Sequence, residues 1–402
     1  MGNNRLLIVI GLVIVLSACV APRSDLPEID PELAKREALI QRKMALESAV
    51  EMEIRLAQIA RPMWVAAAPL CGKRISPTFG FHYTNQHEWE GEWLRAAKEL
   101  YELSDSLQLL YVEPGSPVDR AGLKAGDLLF KIDGWDVPTG DKATDLLVKH
   151  FNGVEIQLMT GAETSGQELT PVVFSVLRNG RRHDLPVTPL ISCDYGFYVV
   201  QDDALNAYAD GRDVIIHQGM MRFARSDTEL AAVVAHELAH NIMGHIEAIQ
   251  TNAMGGMLLD FLAAGFGVNT QGAFSKIAAG AYSQEFEAEA DHVGLYIMAL
   301  ANYDLTDAPN FWRRMAIEHP TGIDYGVSHP TTPERFLGLE NAITIITEQQ
   351  TAGIDLAGQV NIPDLRSWSN DPIHEFPESG EQDRKGSSAS KNKDNEESAE
   401  GE

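Results

Sequence analysis

Apolar and polar positions divide the chain into stretches of different period. Leu6 to Leu16 is an apolar run behind a single positive charge at Arg5, too short for the roughly 20 residues that cross a bilayer. Residues 1–18 therefore read as an export signal, followed by a short Pro-containing linker over 19–29. From 30 to 62 the chain is charged, with Leu39, Leu46, Val50 and Ile54 at helical spacings, which predicts one amphipathic helix. Residues 70–190 alternate short apolar runs with turn signals, as a small β-rich domain does. Over 192–350 the period becomes helical, with one strand-like run at Asp213 to Gln218. An apolar stretch at 253–267 contains Asp260 and is too short to span a membrane, so a buried or plug-like helix is expected there. The last segment, 370–402, has almost no apolar residues and cannot offset its ordering entropy, so an acidic disordered tail is expected. The fold class predicted is α+β.

Composition narrows the functional classes. A length of 402 residues, 44% hydrophobic, suits a globular chain of two to three domains. The net charge of −26 argues against binding phosphate backbones, so no nucleic-acid partner is expected. Apart from Cys19, the cysteines are Cys71 and Cys193. In an exported chain this pair is expected to form a disulfide, with two buried free thiols as the alternative.

Two local patterns carry resemblances. Leu16-Ser17-Ala18-Cys19 resembles the lipobox of bacterial lipoproteins, which implies cleavage before Cys19 and a lipid on its thiol. Such an anchor places the mature chain on the periplasmic side of a membrane, and Val20 at the next position favours the outer one. Leu110 to Gly134, with Pro-Gly-Ser-Pro at 114–117 and Ala-Gly-Leu-Lys-Ala-Gly-Asp at 121–127, resembles a PDZ domain. That family adds an extended peptide to a sheet edge, and Phe79-Gly80-Phe81 resembles its carboxylate-binding loop. A polar, Trp-containing insertion from Glu88 to Ser106 departs from the compact PDZ pattern.

The stretch with the clearest chemistry is His236-Glu237-Leu238-Ala239-His240. Imidazoles four residues apart share one helical face and can reach one metal ion, and Glu237 can act on coordinated water as general base. Glu229 in the first turn and an apolar face at Leu230, Val233 and Val234 put the motif on a helix. Catalytic zinc needs a third protein ligand and an open position. Downstream, Glu287-Ala-Glu-Ala-Asp291 resembles the Glu-x-x-x-Asp motif of the BepA/HtpX-type zinc peptidases, the group that includes the CAAX prenyl proteases. The resemblance implies Glu287 as third ligand and Asp291 as brace for the ligand set, with Glu285 and Glu289 as competitors. It extends to Asn206–Ala209 with the following strand, a substrate-lining segment in the family, and to Ser328-His329-Pro330 with Arg335. His329 is thereby expected to stabilise the oxyanion or gate the metal, with Arg335 supporting the same charge. His245, five residues after His240, also fits the family's pattern, but the spacing puts it off the ligand face and a structural role is expected for it.

Together these readings predict a mainly helical zincin-type peptidase domain with a small edge sheet, preceded by a β-rich PDZ domain. The function expected is zinc-dependent hydrolysis of peptide bonds in exported proteins, unfolded or unassembled ones by the resemblance, with one zinc ion per chain. The alternative is a non-proteolytic assembly factor of the envelope with a latent zinc site.

Overall fold

The computed structural model describes residues 27–165, 169–252, 283–318 and 333–363, with isolated positions 254, 257 and 320. Cys19, His329, most of the apolar stretch 253–267 and the tail 370–402 lie outside the described residues. No helix among the described residues is long and apolar enough to cross a membrane. The chain divides into Met1–Arg42 and Lys43–Glu402, and the packing described below concerns the second unit.

Helix α1 (Pro31–Ala66) runs past Pro62, where the sequence pattern ends it. A proline inside a helix costs about 3 kcal/mol through its missing N–H and its clash with the preceding turn. Burial of the residues that follow offsets this: Met63 and Trp64 are wholly inaccessible. The Trp64 indole N–H donates to the Tyr195 carbonyl at 2.7 Å, and its ring meets Phe197 edge-on at 5.2 Å.

The β-rich segment is built on strands β1 (Ile75–Thr78), β2 (Phe81–Thr84), β3 (Gln108–Val112), β4 (Leu128–Ile132), β5 (Trp135–Asp136), β6 (Val172–Arg178), β7 (Arg181–Val187) and β8 (Leu190–Cys193). A sheet in the order β2-β3-β4-β6-β7 is antiparallel throughout, with β5 hairpinned onto β4, and β2 forms one edge. The polar insertion between β2 and β3 contains helix α2 (Gly91–Tyr101), and the buried Trp89 at its start donates its indole N–H to Thr84 Oγ1. Ser116 caps helix α3 (Pro117–Ala121), accepting the Asp119 amide. With helix α4 (Ala143–Ser165), these elements enclose a core of Phe79, Leu109, Val118, Ile132, Leu147, Phe174 and Val176. Among the described residues β2 pairs on one side only, with β3. Strands β1 and β8 pair antiparallel and bring the two ends of the segment together. Beside them Cys71 and Cys193, 122 residues apart in sequence, are disulfide-bonded with their Cα atoms 5.6 Å apart.

The second core is organised around strands β9 (Gly196–Val200), β10 (Ala207–Ala209) and β11 (Asp213–His217), in the order β10-β11-β9. After the short α5 (Gln218–Phe223) comes helix α6 (Asp227–Ile242), which Ser226 caps by accepting the Glu229 amide; the Glu229 carboxylate in turn accepts the Arg225 amide. Every residue of α6 from Glu229 to Ile242 is buried, so it is the central helix. Around it pack α7 (Ser283–Leu300), α8 (Ala308–Glu318) and α9 (Pro333–Thr351). Gly294 sets the separation of α6 and α7: a Cβ there would lie 3.1 Å from the His236 backbone nitrogen.

Candidate metal centre

Helix α6 presents His236 and His240 one turn apart, and α7 delivers Glu287 opposite them. The Nε2 atoms of His236 and His240 are 3.2 Å apart. Glu287 Oε2 lies 3.4 Å from His236 Nε2, and its Oε1 lies 3.3 Å from His240 Nε2. All three residues are buried, and these ligand atoms form a group that could hold a metal ion. In a tetrahedron the ligand–ligand edge is about 1.63 times the bond length, so the 3.2 Å between the two Nε2 atoms corresponds to metal–nitrogen bonds of about 2.0 Å, the range for imidazole ligands. Two imidazole nitrogens and a carboxylate oxygen are a donor set that fits a divalent ion.

Glu237 follows the first His and is 2% exposed, within the same buried helix. Asp291, one turn after Glu287 on α7, approaches His236 Nδ1 at 2.9 Å, which places the imidazole proton on Nδ1 and leaves Nε2 for a metal. Arg335, at the start of α9, grips both Asp291 oxygens at 2.7 Å, and its guanidinium lies 3.5 Å from the Trp312 ring centroid. It also comes within 3.6 Å of Glu287 Oε2. Burial by itself would raise the Asp291 value, but the Arg335 charge and the His236 contact hold it below the usual carboxylate range. Burial opposes a charge on His236 too, yet the carboxylates of Asp291 and Glu287 lift it to about 9. His240 is pushed down by burial, with Glu287 opposing. Protons and a metal ion thus compete for the same imidazole nitrogens.

The structure also separates the competing carboxylates. Glu287 faces the two imidazoles, Glu289 reaches His245, and Glu285 is exposed. The pattern gave His245 no functional place because a continuous helix rotates it about 140° away from His240. Helix α6 ends at Ile242, and Gly244 adopts a left-handed φ of 68°, turning the chain so that His245 Nδ1 comes 2.9 Å from His240 Nδ1. A glycine four residues after the end of the motif is the signal that marks this break. Arg335, expected to support the oxyanion charge, has two of its nitrogens engaged by Asp291.

Phe79, Gly80 and Phe81 belong to the other core. Phe79 is buried against Phe174 and Phe151, with ring centroids at 5.4 and 5.7 Å. Gly80 has a φ of 85°, and a Cβ there would fall 2.3 Å from that of Ser116, so only glycine fits. Its carbonyl accepts the Glu113 amide and the Ser116 hydroxyl. The Phe81 ring lies 5.9 Å from Phe151 and 5.6 Å from Phe174, filling space between β2 and α4.

Residues 176–343 match the model of Peptidase family M48. This segment is an M48 peptidase domain. The family is metal-dependent, and the M48 domain contains His236, Glu237, His240, Glu287, Asp291 and Arg335. Over 139 residues the chain is 28% identical to the beta-barrel assembly-enhancing protease of Yersinia pestis, covering 30% of this chain and 28% of that one. Over 164 residues it is 27% identical to the mitochondrial metalloendopeptidase OMA1 of Schizosaccharomyces pombe, covering 39% and 49%. The chain thus spans less than half the length of these curated relatives. Among solved structures, the HtrA3 PDZ domain bound to a phage-derived ligand matches at 16% identity, covering 29% of this chain and 88% of that one, with a TM-score of 0.18.

Proposed function

We propose that this chain is a zinc-dependent metalloendopeptidase with one ion held by His236, His240 and Glu287. The observation that carries the reading is the convergence of one ligand atom each from His236, His240 and Glu287, all within 4.8 Å of one another. Two His and one carboxylate are a zinc donor set that leaves a coordination position open, whereas structural zinc sites close all four, mostly with Cys and His. When bound, zinc supplies Lewis acidity and lowers the pKa of coordinated water. Glu237 takes the proton from the attacking water and returns it to the leaving amine. Asp291 and Arg335 hold His236 in its ligand orientation. Among the described residues strand β10 forms an edge of its sheet, and an extended substrate would pair with it there. His329 is assigned oxyanion stabilisation on the resemblance of its His-Pro segment.

The substrates proposed are unfolded or unassembled exported proteins, captured as extended peptides along β2 with their carboxylate at Phe79-Gly80-Phe81. The chain is assigned to the periplasmic side of the cell envelope, held by a lipid on Cys19 and preferentially at the outer membrane. The test uses the purified chain and an unfolded protein substrate, with and without chelator. Cleavage is expected to stop on chelation and return with zinc. Glu237→Gln is expected to abolish cleavage while zinc binding persists; cleavage at the unmodified rate by this variant would overturn the assignment.

A further inference from the structure

We propose that Glu289, His245 and His240 form a proton-ordered relay that fixes His240 in the tautomer able to bind the metal. The inference rests on the metal-centre reading above and extends it to two residues outside the ligand set. His245 is 1% exposed and stacks on Phe286 with centroids 4.6 Å apart and planes 22° apart, so its ring orientation is set by packing. Its Nδ1 lies 2.9 Å from His240 Nδ1, and its Nε2 lies 3.0 Å from Glu289 Oε2.

Two facing Nδ1 atoms at this distance share one proton, and its position decides the chemistry of both rings. With the proton on His240 Nδ1, His240 Nε2 carries a lone pair directed into the donor triangle. His245 Nδ1 is then the acceptor, so the His245 proton sits on Nε2 and is donated to the Glu289 carboxylate. In the reverse arrangement His240 carries its proton on Nε2, inside the triangle, and Glu289 faces a nitrogen lone pair at 3.0 Å. The negative charge on Glu289 disfavours that arrangement and so orders both protons. The two metal imidazoles are thus oriented by different means: His236 directly by Asp291, His240 through a second imidazole. His245 and Glu289 are positioning residues, acting through His240.

The test measures zinc affinity of the full chain by competition with a chelator, for the unmodified protein and for His245→Asn, His245→Phe, Glu289→Gln and Glu289→Ala. Asparagine retains an acceptor where Nδ1 stood, while phenylalanine retains only the ring. His245→Phe and Glu289→Ala are expected to weaken zinc binding about 10- to 100-fold, with His245→Asn and Glu289→Gln between these and the unmodified chain. Glu289 is half exposed, so its variants keep the readout available if His245→Phe fails to fold. A second readout is the ¹⁵N spectrum of the zinc-loaded, histidine-labelled chain, in which the His245 proton is expected on Nε2. Unchanged zinc affinity in folded His245→Phe and in Glu289→Ala, or a proton on His245 Nδ1, overturns the relay alone. An unmodified chain that takes up no zinc overturns the relay together with the metal-centre reading.

Discussion

Replacing Gly294 with alanine tests how closely the two metal-bearing helices are fitted. An added Cβ would meet His236 N at 3.1 Å, and Ala235 C and His236 Cα at 3.2 Å. These are backbone atoms of a buried helix and cannot rotate away. Reaching ordinary contact requires α6 and α7 to separate by about 0.3 Å, an overpacking that costs roughly 1–3 kcal/mol. Alanine also gains about 1 kcal/mol over glycine inside a helix, so net destabilisation is expected to fall between zero and about 2 kcal/mol. Stability alone therefore discriminates poorly. Metal affinity discriminates better, because ligand distances tolerate only about 0.2 Å and the separation falls between His236 on one helix and Glu287 on the other. Zinc affinity measured by chelator competition is expected to drop at least about tenfold, near 1.4 kcal/mol, with a small change in the urea midpoint. A variant stabilised by the full helix-propensity gain and binding zinc as tightly as before would refute the close-packing argument.

Three further outcomes follow from the structure. Asp291→Asn removes the charge gripped by Arg335, and is expected to weaken zinc binding about 10- to 100-fold and to cost on the order of 3–5 kcal/mol, read by chelator competition and urea unfolding. Glu53 on α1 accepts the Val199 amide through one oxygen while the other has no partner, and burial pushes its value from 4.5 to about 7. Its contribution is complete below pH 4.5 and is lost as pH rises through 7, at most about 3 kcal/mol, so Glu53→Gln should gain on the unmodified chain between pH 5 and pH 8 in urea unfolding; parallel curves would contradict this. Replacing Cys71 and Cys193 together with serine opens a 122-residue loop and is expected to lower stability by about 2–5 kcal/mol, measured by thermal unfolding against the oxidised chain.

The legible parts of the sequence were those whose physics is local. The His-Glu-x-x-His spacing fixes a shared helical face, and the Pro-Gly-Ser-Pro turn with its capping serine marks α3 inside the β-rich segment. Features that depend on tertiary packing were not legible. Pro62 marks a helix end by local rules, yet burial of Met63 and Trp64 carries α1 onward. The grip of Arg335 on Asp291 joins residues 44 positions apart, a pairing no period encodes. The contact of His245 with His240 was not legible because angular arithmetic assumes an unbroken helix, and the left-handed Gly244 breaks it. The polar stretch between β2 and β3 read as an insertion because a short surface helix such as α2 buries only Ala96 and Ala97.

Zinc-edge X-ray absorption of the purified, zinc-loaded chain measures the first coordination shell itself. Four nitrogen or oxygen donors at about 2.0–2.1 Å are expected, two of them imidazoles, with one imidazole lost in His240→Ala. A chain that retains no zinc in stoichiometric amount, or whose zinc carries sulfur or keeps both imidazoles in His240→Ala, would contradict a centre formed by His236, His240 and Glu287.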